Sequence, residues 1–155
     1  LGSLSLGELA GERMKVALEA NSSEDEHDCF SDNTHNSHFY NGLGIRNVYL
    51  GEYTRVDGSK VSGPSLSSLV AKADAATDTT LRADLDETQA KLQVIVDHAN
   101  KGEHFDQLIA AGNTAGNQVV RDAIAALVKQ TGAIEQAAGK LGISDLNPDN
   151  ADHEF

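Results

Sequence analysis

The chain has 155 residues, 39% of them apolar, which is enough for one ordinary hydrophobic core and too few for a second. Against 12 basic side chains stand 24 acidic ones, and the formal charge of -12 repels nucleic-acid phosphates and anionic lipid while favouring cationic partners or metal ions. A single cysteine, Cys29, excludes an internal disulfide and a thiolate metal cluster, and no uninterrupted apolar run approaches the roughly 20 residues that cross a bilayer.

The opening LGSLSLGELA has no initiator methionine, basic n-region or apolar h-region, so any targeting segment is expected upstream, and the chain reads as a fragment or a processed piece. Ser5 and Glu8 have the spacing of a capping box and predict a helix from Ser5 through ELAGERMKVALEA. Leu9, Arg13, Val16, Ala17 and Ala20 share one face of that helix at α-helical spacing. The triplet Asn21, Ser22, Ser23 predicts a kink, after which the pattern resumes in the same phase. Helical periodicity is lost between about Asn41 and Pro64, so the span of about 42–64 is expected to be an irregular connection, with VDGSKV forming a turn between two short extended pieces.

Ser65 to about Asn100 is predicted helical, with Leu66, Leu69, Val70 and Ala73 on a first stripe. Leu81, Leu85, Leu92, Ile95, Val96 and Ala99 form a second, and Asp74 or Asp78 caps the restart between them. A last helical region runs from His104 to Leu141, bent at GNTAGN and ended by Gly142, before an acidic tail SDLNPDNADHEF that is expected to fray or to dock on a partner. The fold class is all-α, a helical bundle with one long irregular connection.

EDEHDCFSDNTH, residues 24–35, holds five carboxylates, two histidines and the cysteine. Taken as helix, Glu24, His27, Asp28, Ser31, Asp32, His35 and His38 fall within an arc of about 140°, while Glu26, Cys29 and Phe30 point elsewhere. That arc continues the apolar stripe of the first helix, and charge on a core-facing stripe must be paired, protonated or bound to metal. Glu24-x-x-His27 and Asp32-x-x-His35 have the spacing that carboxylate-bridged metal sites use. Glu24 and His35 lie about 16 Å apart along such a helix and cannot share one ion. Candidate metal ligands are therefore Glu24, His27 and Asp28 in one cluster and Asp32 and His35 in another, with Arg13 offsetting charge below them. A solvated or salt-bridged acidic face and metal-free acid/base chemistry remain open beside the metal reading. The chain contains no HExxH and no Gly-rich phosphate loop.

GERMKVALEA, followed by EDEHDCFSDNTHNSHFYNGLGIRNVYLGEYTRVDGSKVSGPSLSSLV and then by FDQLI and ALVKQTGAIEQAAGKLGI, resembles the C-terminal half of the imelysin family, the M75 peptidase-like proteins that include iron-regulated protein A. The resemblance covers essentially the whole chain. It implies an all-α fold of two bundle-like halves in which residues 1–155 form the C-terminal half, and export to the periplasm or the bacterial outer surface. The implied partner is the N-terminal half of the same protein, possibly as a separate chain. Glu12, Arg13 and residues 24–35 match segments that the second half turns toward a site near the junction. The family's GxHxxE motif belongs to the N-terminal half and is absent; the nearest string, Gly102 to Gln107, has Gln107 where the motif has Glu. Family members are described as metallopeptidases or linked to iron uptake and regulation. The expectation is a contribution to binding a metal, iron or zinc, with an M75-type metallopeptidase and a purely structural half-domain as alternatives.

Overall fold

In the computed structural model, which describes residues 1–146 and 148, the first helix has a wider turn than the sequence predicts. Leu4–Lys15 is a π-helix that passes into a short α-helix, α1 (Val16–Ala20). The Val16 N–H reaches back five residues to the Gly11 carbonyl, and such bonding puts more residues in each turn than the about 3.6 of an α-helix. The buried face consequently runs through Ser5, Leu9, Ala10, Met14 and Leu18, with Ala17 shared, while Arg13 and Val16 are only half-buried and Ala20 is exposed. The capping box expected at Ser5 does not form. Ser5 is fully buried and its hydroxyl donates to the Leu127 carbonyl at 3.1 Å, and Glu8 pairs instead with Arg13 at 2.9 Å.

The helix stops at Asn21 rather than kinking there. Asn21 takes φ 50°, a left-handed conformation that asparagine tolerates. Its side-chain amide donates to the Leu18 carbonyl at 3.0 Å and to the Ile109 carbonyl at 2.7 Å, which secures the helix end. Residues 21–33 then form a loop of turns and bends, so the helix expected over EDEHDCFSDNTH is absent until its last two residues. Like charges three and four apart, such as Glu24 with Asp28 and Asp28 with Asp32, disfavour a helix, and Asn, Asp and Ser side chains compete for its backbone groups.

α2 (Thr34–Leu50) follows, and it takes up residues 42–50 of the span expected to be irregular. Gly42 and Gly44 had masked the helical period. At Gly42 the missing side chain is a packing requirement, because a Cβ there would lie 2.4 Å from Leu92 Cδ1. Beyond Gly51, β1 (Glu52–Thr54) and β2 (Lys60–Ser62) pair antiparallel with Tyr53 opposite Val61, around the turn read in VDGSKV. α3 (Leu66–Ala73) is capped by Ser65, whose hydroxyl accepts from the Ser68 N–H at 3.0 Å. Asp74 accepts from the N–H groups of Ala76 and Thr77 and starts α4 (Ala75–Ala99). Asp78, the other cap candidate, is buried and accepts from the Tyr49 and Ser67 hydroxyls. α5 (Phe105–Ile109) and α6 (Thr114–Lys140) complete the chain, and Gly142 at φ 81° lies just past the helix end as the sequence predicts.

α4 and α6 lie along each other, with the π-helix and α2 packed against them. One core cluster, built on Leu9, Met14, Leu92, Phe105, Leu108 and Leu127, sits at the end where the acidic loop and α5 meet. A second, built on Ile45, Tyr49, Val70, Leu81, Leu85 and Ile134, sits at the hairpin end. The molecule is mostly helical, and among the described residues no helix is long and apolar enough to cross a membrane. Most of the acidic tail read as frayed or docked lies outside the described residues.

Candidate functional site

Three separate elements carry histidines to one place beside the first core cluster. α2 contributes His35 and His38, one turn apart; the residue before α5 is His104; the acidic loop contributes His27. The His27 and His38 rings stack at 6.3 Å between centroids, and His35 and His104 meet edge to face at 5.7 Å. His38 also stands edge-on to Phe105 at 4.8 Å.

His38 is fully buried, and neither of its ring nitrogens has a hydrogen-bond partner. Burial pushes its pKa down to about 3, with the neighbouring His27, Arg13 and His35 adding in the same direction, so the ring is neutral at physiological pH. His35 is shifted down as well, first by burial and then by His104, with Asp32 opposing. Asp32 Oδ2 lies 3.1 Å from His104 Nδ1, and Asp32 itself has φ 52°.

The carboxylates divide differently from the helical reading. Glu26, placed there on the far side of a helix, is the buried one. It hydrogen-bonds Thr34, and its pKa is raised first by burial and then by Asp106, Asp32 and Asp28. One of its oxygens, Oε2, is buried without a partner. Asp28 is tied in twice: its N–H donates to the Thr34 hydroxyl at 3.0 Å, and its carboxylate accepts from the Ser37 hydroxyl. Glu24 and Asp32 are exposed, and with Glu26, Cys29 and Asp106 they line an open cleft of about 680 Å³. Phe30, read as pointing away from the carboxylate arc, is fully exposed. Of the two supporting residues, Arg13 is half-buried beside Glu8 and Glu12 is exposed.

The structure therefore brings His27 to His38 and brings Asp32 and His35 to His104, while Glu24 stays at the cleft rim. The 16 Å separation argued from a helix does not apply to a loop. No local pattern marks His104, because its carboxylate neighbours Glu103 and Asp106 suit an ordinary helix start. His98 pairs with Glu103 at 2.7 Å.

Imidazole nitrogen with carboxylate oxygen is a donor chemistry that suits iron or zinc. Nδ1 of His35, both ring nitrogens of His38 and the buried Glu26 oxygen have no partner and fit part of such a ligand set. They do not complete one, since among the described residues no three His, Cys, Asp or Glu side chains converge as ligands.

The family model described as imelysin, peptidase M75, matches residues 1–134. No curated protein matches the chain.

Proposed function

The chain belongs to the imelysin family, and from that premise we propose that it is the C-terminal half of an exported, two-bundle protein whose histidine and carboxylate cluster supplies part of a metal site. The N-terminal half completes the site at the junction, the ion is iron or zinc, and the location is the periplasm or the bacterial outer surface. The observation that carries this reading is His38, a fully buried ring with two unpartnered nitrogens among three other histidines. Native proteins pair nearly all buried polar atoms, so two orphans on one neutral ring call for a use. A neutral imidazole is also the protonation state that binds metal.

In this reading His27, His35, His38, His104, Asp28 and Asp32 are the donors, with Glu24 and Glu26 lining the approach. Arg13, which already holds Glu8, adds positive charge near His38. A bound divalent ion would supply the positive charge that these carboxylates lack a local partner for, and would act as a Lewis acid on any oxygen ligand. Peptide hydrolysis by these residues without the N-terminal half is disfavoured, because the chain has neither HExxH nor GxHxxE to provide a general base beside the ion.

The test is calorimetric titration of Fe²⁺ and Zn²⁺ into the chain alone and into the chain combined with its N-terminal half, alongside a peptide hydrolysis assay. The expected result is binding at least about tenfold tighter for the pair, lost in His35→Ala and His104→Ala, with no turnover. Metal with turnover would establish the metallopeptidase instead, and no metal in either sample would leave a structural half-domain.

A further inference from the structure

The open cleft of about 680 Å³ beside the histidine cluster is walled by four carboxylates, Glu24, Glu26, Asp32 and Asp106, and no lysine, arginine or histidine shares its lining. Asp32 meets the His104 imidazole at 3.1 Å on one side. Acidic side chains gathered at a surface are ordinarily dispersed in water, so the charge alone assigns nothing to this cleft.

Two independent observations do. Glu26, one of the lining residues, is only 7% exposed. Thr34 bonds its carboxylate, yet Oε2 is buried with no partner, while Asp106, Asp32 and Asp28 all repel it. A buried carboxylate oxygen is costly to leave without a donor, and no donor for it exists among the described residues. The second observation is Phe30, an aromatic ring wholly in solvent that lines the same cleft. An exposed ring beside carboxylates presents the two surfaces that a desolvated organic cation needs, a negative edge to bond and a π face to lie on.

We infer that this cleft binds the guanidinium group of an arginine side chain, with Glu26 and Asp106 accepting its N–H groups and Phe30 covering its plane. A metal ion is the poorer occupant here, because it needs several oxygens around one point, and among the described residues no three such side chains converge. A guanidinium spreads five N–H groups over a flat fork, so it can serve carboxylates that stand apart, and it is weakly hydrated enough to lie against a ring. A lysine ammonium is a compact, strongly hydrated charge and gains less from either surface. The inference does not depend on a metal at the histidine cluster.

The test is a nuclear magnetic resonance titration of the whole chain, at pH 7 and about 0.1 M NaCl, with the tripeptide acetyl-Ala-Arg-Ala-amide and with the same peptide carrying lysine or neutral citrulline in place of arginine. The arginine peptide should bind saturably with Kd below about 1 mM and shift amides of residues 23–32 and 104–107. Lysine should bind at least about threefold more weakly and citrulline at least about tenfold. Glu26→Gln should weaken the arginine peptide by about tenfold and Phe30→Ala by about threefold, and because one variant removes repulsion and the other lies in solvent, both should keep the fold by circular dichroism. His35→Ala, which removes a proposed metal donor, should leave peptide binding within about twofold, so the two sites fail or stand separately. Free arginine binding more tightly than the tripeptide would assign the same pocket to the amino acid instead of to a polypeptide. No saturable binding, equal binding of the lysine or citrulline peptide, or no effect of Glu26→Gln and Phe30→Ala would overturn the inference.

Discussion

His38 and Glu26 are both buried, with opposite consequences for stability. Burial depresses the imidazole of His38 to about 3 from 6.5, so between those values the unfolded chain binds a proton that the folded chain refuses. Stability is therefore whole above pH 6.5 and falls as the pH drops through that window, by up to about 1.4 kcal/mol per pH unit from this group. Urea denaturation at pH 7.5 and pH 5 should reveal the slope, and His38→Leu should flatten it, because leucine has no proton to gain and leaves no unpaired ring nitrogen. Glu26 works the other way. Its raised pKa means that the folded state prefers the protonated acid, so the carboxylate costs stability once the pH rises past its ordinary 4.5. Glu26→Gln should raise the urea midpoint at pH 7 and lose that advantage below about pH 4.5.

Single elements are held by identifiable side chains, and two of them can be tested directly. Asn21→Ala removes both carbonyl contacts at the end of α1 and puts a Cβ residue without a polar tip at φ 50°; the expected loss is about 1–3 kcal/mol in denaturation, of which Asn21→Gly should recover only the backbone part. At Gly116 a Cβ would lie 2.7 Å from the Leu108 carbonyl oxygen, where α6 crosses the end of α5. Gly116→Ala should therefore cost about 1–3 kcal/mol, since backbone rather than a flexible side chain must yield. Elements whose ends carry chemical signals were legible beforehand: Ser65 and Asp74 cap α3 and α4, Gly142 follows α6, and VDGSKV turns between two strands. α2 is not legible beyond residue 41, because Gly42 there serves a contact with Leu92 that no local period records. The acidic loop was read as helix because angular position was counted without the repulsion that position implies. That error moved Glu26 to the wrong side, and His104 was invisible as a neighbour because it lies about seventy residues along the chain from His35.

Both core clusters draw on the same two helices, and this decides how the molecule comes apart. α4 supplies Leu92 and Ile95 to one and Leu81 and Leu85 to the other; α6 supplies Leu127 to the first and Ile134 to the second. Neither cluster can dissolve without unseating a helix that the other needs. Leu127→Ala and Leu81→Ala should each cost about 2–5 kcal/mol, and hydrogen exchange should accelerate at both ends of α4 in either variant rather than only near the substitution. Phe30→Ala, at a fully exposed loop position, should change stability by no more than about 0.5 kcal/mol.

The wide turns of Leu4–Lys15 also bear on how this chain tolerates changes of length. Each π turn holds a residue more than an α turn would, so shortening it by one residue can tighten that turn to α geometry while the flanking segments keep their orientation. The same deletion inside α4 or α6 would rotate every later side chain by about 100° and turn the buried stripe to water. A scan of single-residue deletions should find soluble, folded variants concentrated between Leu4 and Lys15.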